Sequence, residues 1–102
     1  MIEISIQEYL ENASSYVLLD VRQKDEYDFV HIPNSVHIPL ADIAKFFDEL
    51  VGYNKPIACL CHHGRRSLQA AGALKQQGIT AVSIKGGIDV WAEKFDPSLK
   101  RY

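Results

Sequence analysis

The stretch Ile57-Ala58-Cys59-Leu60-Cys61-His62-His63-Gly64-Arg65-Arg66-Ser67 decides how this chain is read. An apolar, strand-like run over 55–60 leads into a thiol, a short loop containing glycine, and a helix-like run over 66–77. Strand, tight loop and helix amino terminus together aim backbone N–H groups and the positive end of a helix dipole at one point, which favours a thiolate or a bound anion. The expectation is a nucleophilic Cys61 surrounded by an anion- and substrate-binding loop of His62, His63, Gly64, Arg65, Arg66 and Ser67. Arg65 and Arg66 stand where a helix dipole disfavours each cation by about 0.3–1 kcal/mol. Something negative should offset them, and a thiolate, a persulfide or an oxyanion held in the loop would do so. Gly64 gives the loop a residue free of Cβ, as a chain folded back around sulfur requires.

Working outward, short strands and helices alternate. Ser5 and Glu8 have capping-box spacing and start a helix to about Asn12, after a small strand over 2–4. Val17-Leu18-Leu19 reads as a buried strand, and Asp25 as the cap of a helix carrying Glu26, Tyr27 and Phe29. Pro33-Asn34 stops that helix before the strand Val36-His37-Ile38. Ile43, Phe46, Phe47 and Leu50 follow helical spacing over 40–50, with Gly52 and Asn54 ending the element before a strand over 56–60. The helix over 66–77 stops at Gly78. Ala81-Val82-Ser83-Ile84 forms the last strand, then Gly86-Gly87 and a final helix over 88–94.

This order predicts an α/β fold, a small, mainly parallel five-stranded sheet flanked by helices on both faces, as a single domain over 1–102. Ligands of such sheets gather at the carboxyl ends of the strands. Asp20, Arg22 and Lys85-Gly86-Gly87 fall there with Cys61. Asp20 and Arg22 read equally well as an ion pair that ties loops together, and the glycines as a plain turn.

Composition narrows the chemistry. The 102 residues are 47% hydrophobic with a formal net charge of −2, and the first residues carry neither a basic nor a hydrophobic leader pattern, so a soluble, cytoplasmic protein without membrane partners is expected. The cysteines at 59 and 61 are too close together for a disulfide framework, and both are expected to be reduced. Residues 50–88 contain no Asp or Glu but include Lys55, Arg65, Arg66, Lys75 and Lys85. These scattered cations lack the aromatic-interleaved patch of a nucleic-acid binder, so no nucleic acid is expected. Cys59, Cys61, His62 and His63 are possible metal ligands, but neighbours so close in sequence would strain to surround one tetrahedral ion, and Cys59 falls inside a strand; no metal is expected. Tyr9, Phe46, Phe47, Tyr53 and Trp91 read as packing residues before partner contacts.

Cys61, Gly64, Arg66 and Ser67 resemble the Cys-x-x-Gly-x-Arg-Ser active-site loop of the rhodanese family. Leu18-Leu19-Asp20-Val21-Arg22, Glu26-Tyr27, His31-Ile32-Pro33-Asn34-Ser35, Ile38-Pro39-Leu40 and Gly86-Gly87-Ile88 through Trp91 are similar to its other recurrent segments, in the same order. The resemblance implies a sulfurtransferase. Cys61 would take a sulfane sulfur from a small anionic donor such as thiosulfate, hold it as a covalent persulfide without any separate cofactor, and pass it to a thiol, cyanide or sulfur-carrier acceptor. It also implies that Asp20 and Arg22 support the site. His62 and His63 are read either as amide donors or as acid–base groups. The stretch from Trp91 to Tyr102 resembles the tails of rhodanese domains joined to enzymes that activate sulfur-carrier proteins, so cofactor or tRNA thiolation stands beside detoxification. Two rival readings remain. One is a cysteine phosphatase or arsenate reductase, whose loop has five residues between Cys and Arg where this chain has four; the other is a noncatalytic interaction module.

Overall fold

The computed structural model describes residues 2–102. Its strands are β1 Glu3–Ile4, β2 Val17–Asp20, β3 Val36–His37, β4 Ile57–Leu60 and β5 Ala81–Ile84, alternating with helices α1 Ile6–Glu11, α2 Lys24–Phe29, α3 Phe47–Gly52, α4 Arg65–Gln76 and α5 Gly87–Lys94. They form one sheet in the order β1-β5-β4-β2-β3. Every pairing is parallel, so the sheet is uniformly rather than mainly parallel. β4 is central, and the residue that follows it, Cys61, sits at the middle of the carboxyl edge.

Side chains alternate across this sheet and are apolar on both faces, as a sheet covered on both sides requires. Leu19, Ile57, Cys59 and Ala81 face one core with Ile43, Leu50, Ala70, Ala71 and Leu74. Leu18, Ala58, Leu60 and Ile84 face the other with Ile6, Tyr9, Ile88 and Trp91. Each fully buried Leu or Ile contributes about 1.5–3 kcal/mol by leaving water. Tyr9 and Trp91 are core residues, whereas Phe46 and Tyr53 are exposed at 36% and 40%.

Local chemistry explains most of the boundaries. At α1, Glu8 N–H donates to Ser5 Oγ and Ser5 N–H to Glu8 Oε1, which is the capping box expected from the sequence. Several boundaries differ from the sequence reading. Gln23, not Asp25, precedes α2, and its N–H is taken by the Glu26 carboxylate at 3.0 Å; Asp25 lies in the first turn, where its charge favours the dipole. The helix expected over 40–50 is divided into a 3₁₀ segment, Leu40–Phe46, and α3. Leu40 N–H is tied to Val21 O, Asp42 N–H closes a tight turn on Pro39 O, and Phe46 leaves helical geometry at φ −120°, so the i+4 ladder cannot run through. Helical spacing reported the buried face, with Ile43 and Leu50 inside, but not this break. Finally, α4 begins at Arg65 and α5 at Gly87, each one residue earlier than expected.

The tightest backbone approach lies beside Cys61. Gly87 has φ +65°, and a Cβ there would come within 2.3 Å of His62 O and 2.6 Å of Cys61 O. Ile88 N–H donates to Cys61 O at 2.9 Å and Asp89 N–H to His62 O at 3.1 Å. Gly87→Ala is therefore expected to lower the unfolding free energy by about 2–4 kcal/mol, from left-handed strain plus a clash with backbone. Gly52→Ala, which meets nothing within 4 Å, is expected to change it by less than about 1 kcal/mol. Urea denaturation of both variants checks the contrast.

Candidate active site

The Cys61 thiol is only 1% exposed. One side of it belongs to the core shared by Leu19, Val21, Ile38 and Ala70; the other meets polar groups. Gly64 N–H donates to Sγ at 3.0 Å, and Ser67 Oγ lies 3.4 Å from it. Gly64 adopts φ +109° as the residue before α4, so its amide is the leading donor of that helix and brings the positive dipole end to the sulfur. The sequence reading expected several amides around the thiol. Among the described residues, Gly64 is the only main-chain donor within reach of Sγ, and a hydroxyl supplies the second contact. The carbonyls of Cys61 and His62 are turned toward the Ile88 and Asp89 amides, which fixes how the loop's peptide planes face.

Ser67 continues inward to Ser83 on β5, with 2.7 Å between the hydroxyl oxygens and both side chains fully buried. A thiolate would accept the Ser67 proton while Ser83 donates to Ser67. Both hydroxyl protons then have acceptors, as buried donors require.

Arg66 does not point its charge at an empty loop. Its Nη1 and Nη2 donate to Glu26 Oε1 and Oε2 at 2.6 and 3.0 Å, a bidentate pair with side-chain exposures of 31% and 17%. The same carboxylate accepts Gln23 N–H and the Tyr102 hydroxyl, the latter at 2.7 Å. The Arg66 bonds, chief among these contacts, hold the Glu26 carboxyl down at about 2 against the opposing effect of burial, so it is ionised at neutral pH. An acid from α2 thus offsets the cation at the head of α4.

Asp20 and Arg22 form a fully buried ion pair, 2.7 Å between Nη2 and Oδ2. All five N–H donors of Arg22 are used: Nε and Nη2 on Asp20, Nη2 also on Val30 O, and Nη1 on Glu26 O and Tyr102 Oη. Such a pair is costly unless every hydrogen bond is made, and here the result is a rigid bracket between β2 and α2. Arg22 contacts Glu26 O and Tyr102 Oη, and neither member of the pair hydrogen-bonds the sulfur.

The loop histidines differ from each other. His62 is half-buried with its ring stacked 3.9 Å from that of Tyr102, and burial, followed by the neighbouring His63, pushes its pKa down, which leaves it neutral at pH 7. His63 is exposed, with Nδ1 3.8 Å from Asp89 Oδ2. Arg65 is exposed. Cys59 is fully buried in β4 and its thiol is pushed up to about 12, chiefly by burial. Among the described residues no group of three or more His, Cys, Asp or Glu is arranged to hold a metal, and no helix is long and apolar enough to cross a membrane. Surface depressions lined by Leu50, Lys55, Ile79 and Thr80 lie at the amino end of β4 and β5, remote from Cys61.

With a thiol under a helix amino terminus at the carboxyl edge of a parallel sheet, the kinship of the chain can be asked directly. Residues 5–94 match the description of the rhodanese-like domain. The chain belongs to the rhodanese family. Among relatives of this rhodanese domain, YrkF of Bacillus subtilis, named as a sulfur carrier protein, is 40% identical over 92% of the chain, which spans only 52% of that protein. Thiosulfate sulfurtransferase GlpE of Pseudomonas syringae is 41% identical over 78% of the chain and 74% of its own length. A rhodanese-related protein from Thermoplasma volcanium superposes with a TM-score of 0.85 at 34% identity, covering 93% of this chain and 94% of that one.

Sequence reasoning placed Cys61, Gly64, Arg66 and Ser67 together; the structure brings Gly64 and Ser67 to the sulfur, while the Arg66 guanidinium is taken by Glu26. Sequence reasoning gave no site role to Glu26, Ser83, Asp89 or Tyr102. One signal for Glu26 was present: residues 50–88 hold no acid, so a carboxylate for Arg66 had to come from another element. Ser67→Ala removes the hydroxyl from the sulfur and is expected to slow alkylation of Cys61 by iodoacetamide at pH 7 by about three- to tenfold. Peptide mapping reads the rate at Cys61, and a rate equal to wild type would show that the hydroxyl has no hold on the sulfur.

Proposed function

We propose that this protein is a rhodanese-type sulfurtransferase acting through a persulfide on Cys61. The observation that carries the reading is the Cys61 sulfur seated on the leading amide of α4, with the Gly64 N–H at 3.0 Å. The names of GlpE and YrkF support sulfur transfer and sulfur carriage as the chemistry.

In the first half-reaction the Cys61 thiolate attacks the outer sulfur of a donor such as thiosulfate. A bond forms between Sγ and that sulfur, the donor's S–S bond breaks, and its electron pair leaves with sulfite. In the second, a nucleophilic acceptor (cyanide, a thiol or a sulfur-carrier protein) attacks the outer sulfur and returns Cys61 as thiolate. The helix dipole and the Gly64 amide are built before the reaction and favour negative charge on sulfur throughout, which is where fixed donors act most strongly. Neither half-reaction needs a strong base, in keeping with a neutral His62 and an exposed His63. Asp20 and Arg22 act as supports that hold α2 in place, and the soluble, cytoplasmic setting expected from the sequence suits both donor and acceptor.

Steady-state transfer from thiosulfate to cyanide, read as thiocyanate, tests this. Cys61→Ser is expected to lose at least about 1000-fold in rate, while Cys59→Ser stays within about twofold of wild type. Thiocyanate formation unaffected by loss of Cys61 would overturn the reading.

A further inference from the structure

The Arg66 guanidinium, the cation placed to draw an anionic donor, is already held on both nitrogens by Glu26. Several other charges around the loop are paired as well, whereas Arg65 is exposed with no salt bridge among the described residues and Lys100 stands 5.5 Å over the Phe29 ring. Arg101 meets Asp89 at 3.0 Å and Glu93 at 3.6 Å, His63 stands beside Asp89, and Arg22 is consumed by Asp20. The Tyr102 hydroxyl, held by Arg22 Nη1 at 2.9 Å, donates to Glu26 and locks the carboxylate in place. Beside this balanced pair the rim is aromatic. Tyr102 is stacked on His62, His62 lies 3.9 Å from His63, and Phe29 meets Tyr102 edge-on at 5.9 Å, with Phe29 and Tyr102 exposed at 48% and 44%.

Resting on the sulfurtransferase reading above, we propose that Glu26 is a specificity-determining residue that cancels Arg66 and selects, as sulfur donor, a persulfide borne on an organic or protein thiol over the small dianion thiosulfate. Charge accounts for the direction. Attack of the Cys61 thiolate on thiosulfate gathers three negative charges at the sulfur and releases sulfite as a dianion. Attack on an ionised organic persulfide gathers two: the donor S–S bond breaks, the new Sγ–S bond forms, and a monoanionic thiolate leaves with the electron pair. A mouth in which Glu26 neutralises Arg66 penalises the first more than it would with Arg66 free, and more than it penalises the second. Carbon attached to the donor sulfur also gains contact with the aromatic rim, which thiosulfate cannot use.

The test measures kcat/KM for persulfide formation on Cys61 with two donors, thiosulfate and glutathione persulfide, in the wild type, Glu26→Gln and Glu26→Asp. Glu26→Gln is expected to raise the thiosulfate-to-persulfide ratio about tenfold, the effect of one full charge across a few ångströms of half-solvated mouth. Glu26→Asp keeps the charge and is expected to hold the ratio within about threefold of wild type, which separates electrostatics from lost packing. Adding Arg66→Gln to Glu26→Gln is expected to remove the gain. A ratio unmoved by Glu26→Gln, or moved equally by Glu26→Asp, overturns the charge filter alone. Uptake of sulfur from neither donor by the wild type overturns the sulfurtransferase reading, and the filter with it.

Discussion

The approach of the Cys61 and His62 carbonyls to the amino end of α5 is the constraint on which the carboxyl edge of this sheet depends. Position 87 has room for backbone only. Because those two carbonyls accept the Ile88 and Asp89 amides, the loop between β4 and α4 is fixed from outside itself, and Gly64 can turn through left-handed space to bring its N–H onto the sulfur. The thiol is thereby held at a helix terminus in a place that is apolar behind and polar in front. Without the docking onto α5, Cys61 would be one more small side chain at the edge of the core.

A second, buried framework sets the charges around that sulfur. Arg22, with every donor used, grips Asp20, the end of α2 and Tyr102. That grip positions Glu26, and Glu26 positions Arg66. The chain of contacts runs by direct hydrogen bonds from the interior of β2 to the head of α4. Ser83 plays a comparable part from β5, reaching the sulfur only through Ser67.

Much of this was legible in the amino acids. The alternation of apolar runs with capping and glycine signals gave the five strands and the order of the helices, because two-sided burial leaves near-continuous apolar strands such as Ile57–Leu60. The break at Phe46 was not legible, since spacing reports which face is buried and says nothing of whether the hydrogen-bond ladder is continuous. At the site, Cys61, Gly64 and Arg66 were visible because they are adjacent in sequence and locally out of place. Glu26 and Tyr102, 40 and 76 residues from their partners Arg66 and Glu26, were not. Long-range ion pairs leave no periodic trace; only the acid-free stretch around the arginines hinted that a carboxylate must arrive from elsewhere.

The central claim is that the buried, helix-capped sulfur of Cys61 is the atom that carries sulfur. Intact mass followed by peptide mapping, after incubation with a sulfane-sulfur donor and removal of the excess, addresses it directly. The account predicts one added sulfur atom on the peptide containing the loop, lost on treatment with a reducing thiol and absent in Cys61→Ser. An adduct that persists in Cys61→Ser, or a wild-type protein that gains no sulfur, would contradict it.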